Sequence, residues 1–153
     1  MKIYHLEQKQ LLNETIEKVW DFLSTPKNLD EITPKDMKFE ITSSLPPKIH
    51  SGLIITYKIE VFPLIKYNWV TEIKSVVSNH YFIDEQRFGP YRFWHHQHKI
   101  EIYNGKSLMT DTIYYALPFG WFGKLLHKIF IRKKLEQIFQ FRYEYLDKKF
   151  NKI

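Results

Sequence analysis

Apolar and polar positions alternate with period two over the middle of this chain, and helical spacing replaces the alternation near each end. In the opening KIYHLEQKQLL, Ile3, His5 and Glu7 alternate with Tyr4, Leu6 and Gln8, which predicts a first strand. Ile16, Val19, Trp20 and Leu23 then recur at helical spacing, with Asn13 placed as the N-cap. Pro26 ends that helix or opens a second short one through Leu29 and Ile32, and Pro34 stops it. Period two returns over residues 38–44, 53–62 with a break at Pro63, 67–77, 81–88, 92–103 and 107–116. In 67–77, Trp69, Thr71 and Ile73 share one face, while Glu72 and Lys74 share the other. From Gly120 and Gly123 to about Phe150 the spacing is helical again. Leu125, Ile129, Leu135, Ile138, Phe139, Arg142 and Leu146 form the expected inward stripe. No repeat, linker or low-complexity segment divides residues 1–153, so a single α+β domain is expected. About seven antiparallel strands would form a curved sheet whose concave face only the long C-terminal helix is available to cover.

Asn104-Gly105 is the strongest hairpin signal in the chain. A two-residue turn there pairs Ile102 with Ser107, Ile100 with Met109, His98 with Asp111 and His96 with Ile113. The face carrying Ile100, Ile102, Met109 and Ile113 must be the buried one, so Trp94, His96 and His98 point inward and His95 points to solvent. Asp111 then sits across from His98. A carboxylate in that position fixes the imidazole tautomer and favours its protonated form, while desolvation works against it. The strand before Gly89-Pro90 is ambiguous. A two-residue and a three-residue turn place opposite pairs inside, either Asp84 with Gln86 or Glu85 with Arg87.

Composition adds a cavity to this picture. Twelve Phe, ten Tyr and four Trp make 17% of the 153 residues aromatic, and large rings line apolar pockets as readily as they fill cores. The absence of cysteine excludes disulfides, thiolate zinc sites and cysteine nucleophiles. His96 and His98 at i, i+2 reach one ion, with Asp111 as third ligand, but nothing completes a recognisable metal motif, and no metal or cofactor is expected. Net charge is +6, with the lysines spread along the chain rather than gathered in a basic block, so nucleic acid is not the expected partner. No signal-like or membrane-spanning stretch stands out, which makes a cytoplasmic location the expectation.

The stretches Asp84-Glu85-Gln86, Gly89-Pro90, Trp94-x-His96-x-His98, Met109-Thr110-Asp111 and Pro118-Phe119-Gly120 resemble a bacterial subgroup of ligand-binding proteins. That subgroup belongs to the SRPBCC superfamily, which also holds START lipid-transfer domains, the birch pollen allergen and polyketide cyclase-like proteins. The resemblance in element order covers the whole chain. It implies a helix-grip fold with a deep cavity between sheet and terminal helix, and it places Asp84 and Gln86 on the inner side.

The expected function is binding or carrying a small hydrophobic molecule of lipid, isoprenoid or polyketide kind. Trp69, Phe82, Trp94 and Met109 would be wall, and Asp84, Gln86, His96, His98 and Asp111 would orient a polar end. The alternative is a cyclase- or dehydratase-like enzyme with the His98–Asp111 pair as acid and base. A further expectation concerns FGWFGKLLHKIFIRKK. Phe119, Trp121 and Phe122, followed by Lys124, Lys128, Arg132, Lys133 and Lys134, suit peripheral contact with an anionic membrane.

Overall fold

The computed structural model describes residues 1–62, 65–118 and 120–151, without the side chains of Val61, Phe62, Phe122, Lys124 and Leu126. The expected break at Pro63 and the ring of Phe119 lie outside the described residues. Strands β1 (Tyr4–Leu12), β2 (Glu40–Ile41), β3 (Ile54–Phe62), β4 (Ile65–Val77), β5 (Tyr81–Phe88), β6 (Phe93–Tyr103) and β7 (Lys106–Ala116) form one antiparallel sheet. Its order is β1-β7-β6-β5-β4-β3-β2, so the hairpin-linked strands run in sequence and β1 closes against β7. Helix α1 (Ile16–Leu23) and two 3₁₀ turns (Pro26–Leu29 and Lys35–Met37) follow β1. At the C-terminus, α2 (Gly120–Leu126), a π turn (His127–Ile131) and α3 (Arg132–Phe150) make one nearly continuous helix. A helix gripped by an antiparallel sheet is the architecture that the alternation predicts.

The register of β6 and β7 follows from the turn chemistry. Asn104 and Gly105 both have positive φ, 51° and 73°, as a type I′ turn requires. His98 therefore faces Asp111 and His96 faces Ile113. In the other hairpin, Asp84 pairs with His96, the pairing of a three-residue connection, and this turns Asp84 inward and Glu85 outward onto His95.

Several local expectations need correction. Thr15, not Asn13, caps α1, its hydroxyl accepting from the Lys18 N–H at 3.4 Å. Asn13 instead donates its backbone N–H to Asn151 and so ties the first loop to the end of α3. Residues 38–44 yield only the two-residue β2, because Lys38 takes the left-handed conformation and the N–H groups of Thr42 and Ser43 both turn to the Thr56 carbonyl. Ile102, one residue from the end of β6 at the Asn104-Gly105 turn, is 76% exposed rather than buried.

The helical stripe also changes phase. Leu135, Phe139, Arg142 and Leu146 face the sheet as expected, but one turn earlier the buried residues are Ile131 and His127. Ile129 precedes Leu135 by six residues, which is not a whole number of 3.6-residue turns, and it lies 68% exposed. Leu125 shares that outer face.

Candidate functional site

A cavity of about 150 Å³ lies between the concave face of the sheet and α3. Its wall is mostly apolar, with Ile55, Ile59 and Ile73 from β3 and β4, and Leu135 and Phe139 from α3. Trp69 stacks on Tyr57 with ring centres 5.8 Å apart and meets Trp94 edge-on. The 3₁₀ segment adds Met37, and the β5–β6 connection adds Tyr91.

One polar cluster interrupts this wall. Three adjacent strands, β5, β6 and β7, and a helix build it, because the pleat places Asp84, His96, His98 and Asp111 on one face and α3 brings Arg142 down onto them. His98 sits between two carboxylates. Its Nε2–H donates to Asp84 Oδ2 at 3.0 Å, and its Nδ1 lies 2.7 Å from Asp111 Oδ1, an ionic contact with an angle poor for a hydrogen bond. His96 is held more loosely, 3.4 Å from Asp84 and 3.5 Å from Asp111. Arg142 donates through Nη1 to Asp111 Oδ2 at 3.2 Å. Phe82 stacks on the His98 ring at 4.1 Å, and the two imidazole centres are 3.8 Å apart.

These distances push the two histidines in opposite directions. For both, burial opposes the charged form. At His98 the Asp111 and Asp84 carboxylates outweigh burial and raise the pKa. At His96, burial and the neighbouring charged His98 prevail over the same carboxylates, and the pKa falls to about 4. Burial would raise Asp84 and Asp111, yet the histidines and Arg142 hold both carboxyls below their ordinary range. At neutral pH the cluster therefore holds two carboxylates, a guanidinium and one imidazolium, balanced in charge, beside a neutral His96. Burial raises the Tyr57 and Tyr91 hydroxyls, so both remain protonated.

Of the residues expected from the sequence, Trp69, Phe82, Asp84, Trp94, His96 and His98 line the cavity. Gln86, Met109 and Asp111 do not. Met109 is core, packed beside Ile100 and Leu12. Asp111 lies behind the histidines on Arg142, placed to orient His98 rather than to meet a ligand. Gln86 clamps the β5–β6 connection, donating through Nε2 to the Tyr91 carbonyl at 2.6 Å and accepting the Tyr91 N–H at 3.2 Å. A side chain at Gly89 would strike that amide, which accounts for glycine there. Arg142, Tyr57 and Tyr91 are site residues that sequence reasoning missed. Arg142 alone left a trace, as a charge within an apolar helical stripe.

Ligand atoms of Asp84, His96 and His98 lie within 4.8 Å of one another, so the histidine pair gathers Asp84 rather than Asp111 as a third donor. The Arg142 guanidinium already supplies positive charge to this cluster, and His98 Nε2 is engaged by Asp84. Both features work against a divalent cation.

No family model matches this sequence, and no curated protein matches it. Solved structures do match in shape. Zhui aromatase/cyclase from Streptomyces sp. R1128 superposes with a TM-score of 0.74 at 12% identity, over 97% of this chain and 93% of that one. Ginseng major latex-like protein 151 from Panax ginseng gives 0.68 at 10% identity, over 97% of each chain. The allergen Ara h 8.0201 gives 0.60 at 14%, over 95% of this chain and 98% of its own. All three have the helix-grip architecture of the SRPBCC superfamily, and this chain has the same fold. At these identities the likeness speaks to fold alone.

Proposed function

We propose that this chain binds a small, largely apolar molecule in the cavity between sheet and α3. The observation that carries the reading is an aromatic and aliphatic wall broken by one charge-balanced polar cluster, the usual make-up of a small-molecule site. Volume restricts the ligand. A space of about 150 Å³ matches the apolar cavities that take up benzene. One ring or a short isoprenoid fits as the walls stand, whereas a lipid or a multi-ring polyketide requires sheet and helix to part. Burying roughly 200 Å² of ligand surface is worth about 5 kcal/mol before binding costs, so affinity for a plain hydrocarbon is no tighter than the order of 0.1–1 mM.

Titration with ethylbenzene, followed by tryptophan emission, should show saturable binding in that range, because Trp69 and Trp94 are in the wall. Ile59→Phe, which places a ring in the cavity, should weaken it at least tenfold. An emission unmoved by ethylbenzene or by any other one-ring hydrocarbon would sink the proposal.

The contrast between His96 and His98 favours a second reading, an enzyme of cyclase or dehydratase type. Environments that push two neighbouring groups apart assign acid and base roles, here charged His98 as acid and neutral His96 as base. Turnover of a bound β-hydroxyketone, lost in His98→Ala while binding survives, would establish it. Equal turnover in both proteins would remove it.

The exposed face of the C-terminal helix supports peripheral contact with an anionic membrane. No described helix is long and apolar enough to cross one. Trp121, Leu125 and Ile129 repeat every four residues and are 76%, 45% and 68% exposed. Met1, Lys2 and Arg92 border Trp121 in one surface depression, and Lys128, Arg132 and Lys133 continue the basic rim. Arg132 and Lys134 add less charge to that rim, because they pair with Glu136 at 2.8 Å and with Asp36 at 2.6 Å. The expected contributions of Phe119 and of the Phe122 and Lys124 side chains lie outside the described residues. Co-sedimentation with phosphatidylserine-containing vesicles should be strong at low salt, fall at 0.5 M salt, and drop several-fold in Trp121→Ser/Ile129→Ser. No sedimentation with anionic vesicles at low salt would reject the contact.

A further inference from the structure

Among the described residues, two buried N–H groups on side chains that line the cavity have no acceptor in the protein. The indole Nε1 of Trp69 and the Nε of Arg142 are buried and make no hydrogen bond within the protein, although both residues line the cavity. Neither group can act as an acceptor, so only an oxygen or nitrogen lone pair from outside the chain satisfies it. Three other buried polar atoms lack aligned hydrogen bonds, His96 Nε2, His98 Nδ1 and Asp111 Oδ1, but these face one another. Asp111 Oδ1 lies 2.7 Å from His98 Nδ1 and 3.5 Å from His96 Nε2, so their polarity is met inside the cluster. Tyr57 is satisfied too, its hydroxyl 3.1 Å from Thr71 Oγ1. The unmet demand at the cavity is therefore for an acceptor, at two places.

We infer that the cavity selects an uncharged ligand bearing a hydrogen-bond acceptor, of the aryl ketone or ester class, over a hydrocarbon or a carboxylate of equal size. The inference rests on the cavity reading proposed above and specifies its ligand chemistry. A hydrocarbon leaves both N–H groups unmatched, and each keeps the desolvation penalty of a buried donor. A carboxylate meets them but adds a negative charge to a site already in balance. Asp84 and Asp111 are offset there by Arg142 and by His98, which presents a ring nitrogen to each carboxylate. An extra buried charge without a counter-ion is strongly disfavoured. A carbonyl oxygen offers an acceptor to either donor and leaves the balance intact.

The test compares ethylbenzene, acetophenone and benzoate by ligand-detected NMR titration of the unmodified protein at pH 7. Desolvation of the carbonyl makes acetophenone the weaker ligand of any purely apolar cavity. Here it should bind about fivefold tighter than ethylbenzene, with benzoate the weakest of the three. In Trp69→Phe, which keeps a ring and deletes one donor, the preference for acetophenone over ethylbenzene should fall about fivefold, so that the ratio of the two affinities, rather than either one, reports the lost donor. Ethylbenzene as the tightest ligand would overturn the inference and leave the cavity reading standing. Benzoate as the tightest would overturn it in favour of an anion site. Failure of all three to bind would overturn inference and cavity reading together.

Discussion

Replacing Arg142 by Met should destabilise the fold by about 3–5 kcal/mol at pH 7, a fall in melting temperature of roughly 6–20 °C for a chain of this size. Arg142 is 8% exposed and its partner Asp111 is 3% exposed. The substitution preserves the apolar stem and deletes the guanidinium, whose carbon lies 5.6 Å from the Phe139 ring centre, so the loss comes mainly from charge. Two buried carboxylates would remain with one imidazolium, and the surplus charge has nowhere to go. Removing both partners should cost much less than the sum of the single changes, because Arg142→Met/Asp111→Leu leaves no unpaired charge at that end of the cluster. Urea unfolding of the two single variants, the double variant and the unmodified chain measures this directly. An Arg142→Met protein within 1 kcal/mol of the unmodified chain would mean that the guanidinium is not balancing the cluster.

How much of this site was legible depends on what fixes each residue. His98 opposite Asp111 is local information, since Asn104-Gly105 admits one tight turn and eight further residues of alternation carry the register to the site. Asp84 is not local in that sense. Gly89-Pro90 admits two turns, and the choice is made by the Gln86 amide, which bridges both polar atoms of the Tyr91 backbone. No pattern of apolar and polar positions encodes such a clamp. Resemblance to a known family gave the right facing for Asp84, but for Gln86 it suggested a cavity role where the side chain holds a turn.

The helix shows the same division. Arg142 stands at a core position among Leu135, Phe139 and Leu146, and a charge there announces a buried partner. Which carboxylate it meets, 31 residues earlier, depends on how the helix lies across the sheet. At the start of the helix the simple period fails for a physical reason. The π turn at His127–Ile131 changes the phase, burying His127 on the Tyr115 hydroxyl at 2.8 Å and turning Leu125 and Ile129 outward. A stripe drawn through those two residues and Leu135 is out of phase even in a regular helix, since neither six nor ten residues make a whole number of turns.

Acid should weaken the fold before any carboxylate titrates. His96 has its pKa depressed from 6.5 to about 4, so below pH 6.5 the unfolded chain takes up a proton that the folded chain refuses. Its contribution is fully present above 6.5 and is lost as the pH falls to 4, about 3 kcal/mol in all. His98 has the opposite sign. Its raised pKa gives a contribution that is complete below 6.5 and is lost only as the pH rises through the folded-state value, so it neither adds to nor cancels the acid limb. Asp84 and Asp111, held below their ordinary range, contribute above about pH 4 and fail below it. His127, also depressed by burial and by Arg132 and Lys2, works in the same direction as His96. The comparison that isolates His96 is therefore His96→Gln against the unmodified chain, by urea unfolding at pH 7, 5.5 and 4. The unmodified protein should lose about 3 kcal/mol more than the variant between pH 7 and 4, and the two curves should run parallel below pH 4. Parallel curves over the whole range would show that His96 takes up its proton inside the fold as readily as outside it. The protonation contrast between the two histidines, and the acid–base reading built on it, would then fail.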